Sequence, residues 1–242
     1  MIIGEFAHHF SRLEGNTVSF SRGLKAKASK VWEDGYNHPF VQELGMGTLS
    51  KETFKFYLLQ DYLYLLQYAK VFATAALKSD TEELMTGFTT SQYFILANEM
   101  NVHREYMSGF GITQEEVHSA KASLYNRSYT ANMLSYGLTG GLAEVLAAVF
   151  PCAWTYADYA TRLKEQYADK LSGNFYKTWI ENYAGAEFSD SFAWFYDALD
   201  QLVAGMTDKQ REKIEEIFIS SVEFEYLFWD MAYKRQMSYA GG

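Results

Sequence analysis

Apolar and aromatic positions recur at intervals of three and four along nearly the whole chain, and β-branched residues never dominate a short alternating run. That periodicity predicts helices near 21–36, 50–78, 81–109, 113–121, 128–138, 141–167, 172–184, 188–204 and 208–236. Thr113 with Glu116 and Thr207 with Gln210 have the spacing of a capping box, in which side chain and backbone satisfy each other's orphan amides across the first helical turn. Ser50 followed by Thr53 is a weaker start signal. Stops stand at Gly45-Met46-Gly47, Gly109, Gly111, Gly140-Gly141 and Gly185, where the chain can leave the helix without a Cβ penalty. With no convincing strand, the expected fold is all-α, a single helical bundle whose long members wrap a shared interior.

Composition narrows this further. The 242 residues contain only two prolines, Pro39 and Pro151, and no Gly/Ser/Pro-rich stretch divides them, so residues 21–242 read as one domain. Residues 1–20 show neither periodicity and read as a flexible N-terminal extension. A formal charge of −9, from 21 Lys plus Arg against 30 Asp plus Glu, supplies no basic stripe for nucleic acid. The apolar run from Met133 to Trp154 is broken by Glu144 and by glycines, which argues against a membrane span. One cysteine cannot close an intrachain disulfide, and the first thirty residues lack the apolar core of a secretory leader, so the cytoplasm is the expected location.

Candidate chemistry lies where polar groups sit in apolar surroundings. Asp61 shares a helical stripe with Tyr57, Tyr64 and Tyr68, at i, i+4, i+7 and i+11. A carboxylate there must have a partner, either a ligand's amine or protonated ring nitrogen, or an internal tyrosine or lysine. Tyr64 is a candidate aromatic wall for the ligand. Cys152 falls on a line with Glu144, Ala148, Tyr156 and Tyr159, one residue after the helix-disturbing Pro151. It is either a small core hydrophobe or a nucleophile in need of a base. Glu225, flanked by Phe224, Tyr226, Phe228 and Trp229, is the acid/base candidate because desolvation raises a carboxylate's pKa; Glu223 is its local competitor. Metal binding is not expected, since one Glu-x-x-His lies in the N-terminal extension and the other, Glu115 to His118, on a short polar segment. Glu99 and His103, at i and i+4, are expected to form a local hydrogen bond or to face solvent. Acids and aromatics without a phosphate loop fit a small, planar, weakly charged ligand.

A set of segments in fixed order carries a more specific signal: His38-Pro39-Phe40, Phe56-Tyr57-Leu58-Leu59-Gln60-Asp61-Tyr62-Leu63-Tyr64-Leu65, Ser128-Tyr129-Thr130, Leu146 to Trp154 with Pro151-Cys152, Trp179-Ile180-Glu181-Asn182-Tyr183, and Phe224 to Tyr233. In these the chain resembles the TenA family, the thiaminase II proteins of thiamin salvage, over roughly residues 22–236. The resemblance implies a haem-oxygenase-like helical fold, a homotetramer, and no metal or organic cofactor. It implies hydrolytic release of 4-amino-5-hydroxymethyl-2-methylpyrimidine from thiamin or from the aminomethyl analogue, an aminopyrimidine aminohydrolase activity. By matching motif it assigns the nucleophile to Cys152, the acid/base to Glu225 and the pyrimidine-binding carboxylate to Asp61. Tyr64, Tyr129, Tyr156 and Tyr183 are implied around the ring or on the catalytic groups. Branches of the family replace the cysteine with a paired glutamate; this sequence resembles the cysteine-bearing type. The implied route is addition of the thiolate to the ring, loss of thiazole or ammonia with a proton from Glu225, and addition of water to the exposed methylene. The alternatives are a silent pyrimidine- or thiamin-binding protein using the same pocket, and a haem protein with His38 as ligand.

Overall fold

The computed structural model describes residues 19–239, so the N-terminal extension, up to residue 18, lies outside them. Thirteen α-helices follow one another: α1 (Phe20–Lys27), α2 (Ser29–Tyr36), α3 (Pro39–Met46), α4 (Lys51–Lys78), α5 (Glu82–Phe94), α6 (Met100–Gly109), α7 (Gln114–Ser119), α8 (Leu124–Thr139), α9 (Leu142–Gln166), α10 (Lys177–Tyr183), α11 (Ala186–Phe192), α12 (Trp194–Val203) and α13 (Asp208–Lys234). A π-helical turn, Ile95–Glu99, joins α5 to α6, and a short 3₁₀ turn, Leu171–Gly173, precedes α10. No strand occurs among the described residues.

The capping signals do what their spacing implies: Thr113 and Thr207 form complete capping boxes, and Ser50 Oγ accepts from the Thr53 amide at 3.1 Å. Four departures from the periodic expectation have local causes. The helix expected at 21–36 breaks at Ala28 into α1 and α2. Helix α3 was not expected, although Pro39 at its first turn, the His38 cap and the left-handed Gly47 (φ 76°) that ends it are all start and stop signals. Helix α8 begins four residues before 128, where Ser123 Oγ caps the Asn126 amide at 3.1 Å. The segment 188–204 is two helices, α11 and α12, meeting at Ala193.

Helices α4, α9 and α13 form the centre, and the others cover them. The middle of α9 is buried nearly all round, from Val145 to Pro151 without interruption, and its many alanines let neighbouring helices approach closely. The helix continues through Pro151, and Tyr68 of α4 donates its hydroxyl to the Val149 carbonyl at 2.8 Å in that same turn. Glu144 is not part of the interior: it caps α9 through the Gly141 amide and pairs with Lys213 at the surface. Gly137 of α8 permits close contact with α4, because a Cβ there would stand 2.5 Å from Thr74 Oγ1. Buried Gln60 then locks the other end of α8, accepting from the Ser123 amide at 2.9 Å while its carbonyl accepts from Asn126 Nδ2 at 2.7 Å. The helix that carries Tyr129 is thus fixed directly against the residue preceding Asp61.

Candidate active site

Asp61, only 3% exposed, is built into a network that spans four helices. Its Oδ2 accepts from the Tyr57 hydroxyl one turn earlier, at 3.0 Å, and faces Nε2 of His103 on α6 at 2.5 Å. The other ring nitrogen, Nδ1, lies 3.0 Å from the Glu99 carbonyl oxygen. A carbonyl has no proton to give, so Nδ1 must be the donor there. The proton between His103 and Asp61 is therefore a second one, and it decides the charge of the pair. Burial pulls His103 down, but the Asp61 charge and the bond to it outweigh burial and raise the ring above its ordinary value. The bond to Asp61 thus favours the protonated ring. Oδ2 is saturated by Tyr57 and His103, whereas Oδ1 makes no hydrogen bond with any described residue. Trp179 of α10 donates its indole N–H to Tyr57 Oη at 3.3 Å, and Tyr156 Oη lies 3.3 Å from the same oxygen. Since the Tyr57 proton is committed to Asp61, any bond between the two tyrosines is donated by Tyr156.

Cys152 is half-buried on α9. Burial first, and the nearby Glu225 charge second, push its thiol well above the usual range, while the Tyr64 hydroxyl acts in the opposite direction. Glu225 of α13 is 2% exposed, whereas Glu223 is exposed to solvent. Burial lifts the Glu225 carboxyl to about 8, opposed by the Tyr129 hydroxyl, which donates to Oε1 at 2.6 Å. At neutral pH burial thus favours the uncharged forms of both thiol and carboxyl. The Tyr129 ring stacks on Phe224 with centroids 5.0 Å apart and leans on Tyr64 at 5.2 Å, which holds its hydroxyl on Glu225.

A cleft enclosing about 470 Å³, its mouth included, opens beside these groups. Asp61, Cys152, Tyr156 and Tyr183 line it. Tyr64, Tyr129 and Glu225 do not; they are buried in the core, where Tyr64 and Glu225 act on the thiol. Three further wall residues, Tyr68, Ser91 and Glu99, were not singled out for the ligand by sequence. His103 departs in part from the expectation. The local hydrogen bond exists, but to the Glu99 carbonyl instead of its carboxylate, and the ring is 2% exposed and bonded to Asp61, so it does not face solvent. His38 is committed to structure: its Nδ1 accepts from the Phe40 amide at 3.1 Å and its Nε2 stands 3.6 Å from Asp230. Glu115 and His118 lie on α7, which buries no residue. Among the described residues no helix is long and apolar enough to cross a membrane.

Residues 25–235 match the TENA/THI-4/PQQC family. An aminopyrimidine aminohydrolase of Helicobacter pylori is 44% identical over 90% of this chain and 100% of its own length, and one from Halalkalibacterium halodurans is 39% identical over 91% and 98%. Among solved structures, a TenA homologue from P. horikoshii OT3 superposes with a TM-score of 0.80 at 28% identity, covering 90% of this chain and 99% of that one. A haem-oxygenase-like domain from Shewanella denitrificans aligns with a TM-score of 0.68 at 16% identity, over 88% and 91%, and bears on the fold alone. The all-α, haem-oxygenase-like architecture expected from the sequence is the one found. The chain belongs to the TENA/THI-4/PQQC family.

Proposed function

We propose that the protein is a hydrolase of thiamin salvage, releasing 4-amino-5-hydroxymethyl-2-methylpyrimidine from its aminomethyl analogue or from thiamin. The observation that carries this reading is a carboxylate with one free oxygen, Asp61, on the wall of the same cleft as the chain's one cysteine. Oδ1 of Asp61 accepts from the exocyclic amine of the ring, and Tyr156 and Tyr183, 4.9 Å apart and edge to face, supply aromatic surface for it. The sulfur of Cys152 adds to the electron-poor ring. That addition moves an electron pair onto a ring nitrogen, which takes the proton of Glu225 while the thiol proton replaces it on the carboxylate. Thiazolium and alkylammonium groups leave as neutral thiazole and ammonia without a further proton, so the ring nitrogen is the better destination for the Glu225 proton than the leaving group. Return of the electron pair expels the leaving group, water adds to the methylene, and loss of the sulfur restores the aromatic ring.

The decisive experiment follows product from thiamin and from the aminomethylpyrimidine, side by side, with wild type and Cys152→Ala. Turnover by wild type alone is expected. Tight binding of the pyrimidine with no turnover in either sample would identify a silent receptor instead. The proposal extends to a cytoplasmic homotetramer, in keeping with the family resemblance. Exposed Leu77, Met85, Tyr93, Leu96 and Leu138 provide apolar surface for such association. Light scattering giving the mass of one chain would remove the tetramer.

A further inference from the structure

Three acidic side chains act on the thiol, and two of them already have protein donors: Asp61 has Tyr57 and His103, and Glu225 has Tyr129. Glu99 has none. No described residue donates to its carboxylate, and no lysine or arginine lines the cleft. Its position is nonetheless fixed. Glu99 is the last residue of the π turn, and its carbonyl is gripped by Nδ1 of the same imidazole whose Nε2 grips Asp61. One rigid ring therefore sets the Glu99 backbone relative to the carboxylate that binds the pyrimidine. The Glu99 side chain, half-buried, lines the cleft with Asp61 and Cys152.

The π turn explains how this residue reaches the cleft. Buried positions on the α5–α6 helix run Phe88, Ser91, Ile95, Met100, His103 and Met107, with steps of three, four, five, three and four. A step of five is out of phase for an α-helix and in phase for a single π turn. The extra residue leaves Ile95 and His103 on the inner face together and presents Glu99 beside them at the cleft wall. Such insertions are frequent at functional sites.

We infer that Glu99 recognises the leaving group, accepting hydrogen bonds from the protonated aminomethyl arm of the substrate and so favouring a primary ammonium over a thiazolium, whose quaternary nitrogen has no N–H to donate. This rests on the hydrolase reading and adds a specificity determinant to it. The electrostatics agree. Asp61 is matched by its bonds to Tyr57 and His103, and the Glu99 carboxylate is left without a donor among the described residues. Burial, with the Asp61 charge adding to it and the His103 charge opposing, raises the Glu99 carboxyl to about 7; a bound cation would hold it ionised. Ring and leaving group are then gripped by separate carboxylates, Asp61 and Glu99.

The test uses Glu99→Gln and Glu99→Asp, with calorimetric affinity for the hydroxymethyl product and kcat and KM for both substrates. The product has an uncharged arm, so its affinity should be unchanged in both variants, which also reports correct folding. For Glu99→Gln, kcat/KM on the aminomethylpyrimidine should fall about 10- to 100-fold, mainly through KM, with thiamin affected less than about threefold. Glu99→Asp should recover part of the loss. Equal losses on both substrates with KM unchanged would assign Glu99 to the attacking water and overturn its role in recognition, as would unaltered kinetics. Absence of turnover by wild type on either substrate would defeat the hydrolase reading and this inference together, whereas the preceding outcomes defeat only the inference.

Discussion

A thiol kept neutral by burial becomes a nucleophile only when a neighbouring group takes its proton, and Cys152 has such a neighbour in Glu225. Cys152→Ser should keep the fold, since the volume change is small, and lower pyrimidine release by about a hundredfold or more, because a hydroxyl is a far poorer thiolate substitute; a variant within about threefold of wild type would exclude covalent thiol catalysis. Asp61→Asn should weaken product binding by roughly 2 to 4 kcal/mol, measured by calorimetry, because an amide can present a donor to the ring's own donor. Glu225→Gln should bind but not turn over. The same carboxyl gives the pH profile its upper limb: activity should fall as pH rises through about 8, where the proton it must donate is lost. A flat profile from pH 7 to 9.5 would remove Glu225 as donor. Cys152, Asp61 and Glu225 stood out in the sequence because a polar group among aromatics must be paired or functional. Tyr129 and Tyr183 were reached only through the family resemblance, since a tyrosine among many carries no signal of its own. The i, i+4 spacing of Glu99 and His103 hides their part in the site, because it equally fits a local hydrogen bond or two groups facing solvent.

At the scale of elements, the single helix expected over 81–109 is three pieces in one axis, with the π turn at Ile95–Glu99 between α5 and α6. Helical periodicity is read in one phase, and one inserted residue changes that phase without interrupting the helix. Deleting Ala97 should let 95–99 relax to α-helix and rotate α6 by about 100° relative to α5. The helix survives, but His103 turns away from Asp61. Far-UV circular dichroism should be nearly unchanged while product affinity falls at least about tenfold; unchanged affinity would mean that α6 can re-register and that the π turn has no part in placing His103. Helix α3 shows the complementary case. Its start and stop signals, Pro39 and Gly47, were present in the sequence, but eight residues are too few for periodicity to reveal an element.

For the whole molecule, the acids that serve the site also set a pH dependence of stability. Glu225, raised from 4.5 to about 8, binds its proton more tightly folded than unfolded, so its contribution is complete below about 4.5 and is lost as pH rises through about 8. Glu99, raised to about 7, acts in the same direction. The wild-type melting temperature should therefore fall between pH 5 and pH 9, and Glu225→Gln, which cannot ionise, should fall less and melt at least about 4 °C above wild type at pH 9. Parallel melting curves across that range would show that burial does not hold the carboxyl neutral. The sequence by itself determined the class of fold, the three central helices and the three polar side chains set among aromatics. Each is a property of neighbours along one helix, and helical geometry translates spacing directly into faces. The tertiary structure alone decided which polar groups meet. Asp61 and His103 are 42 positions apart and Tyr129 and Glu225 are 96 apart, and these pairs form only where α4 meets α6 and α8 meets α13. No periodicity along one element encodes which face of another will cover it, and it is that crossing which sets His103 against Asp61 and leaves Glu99 at the cleft wall without a donor among the described residues.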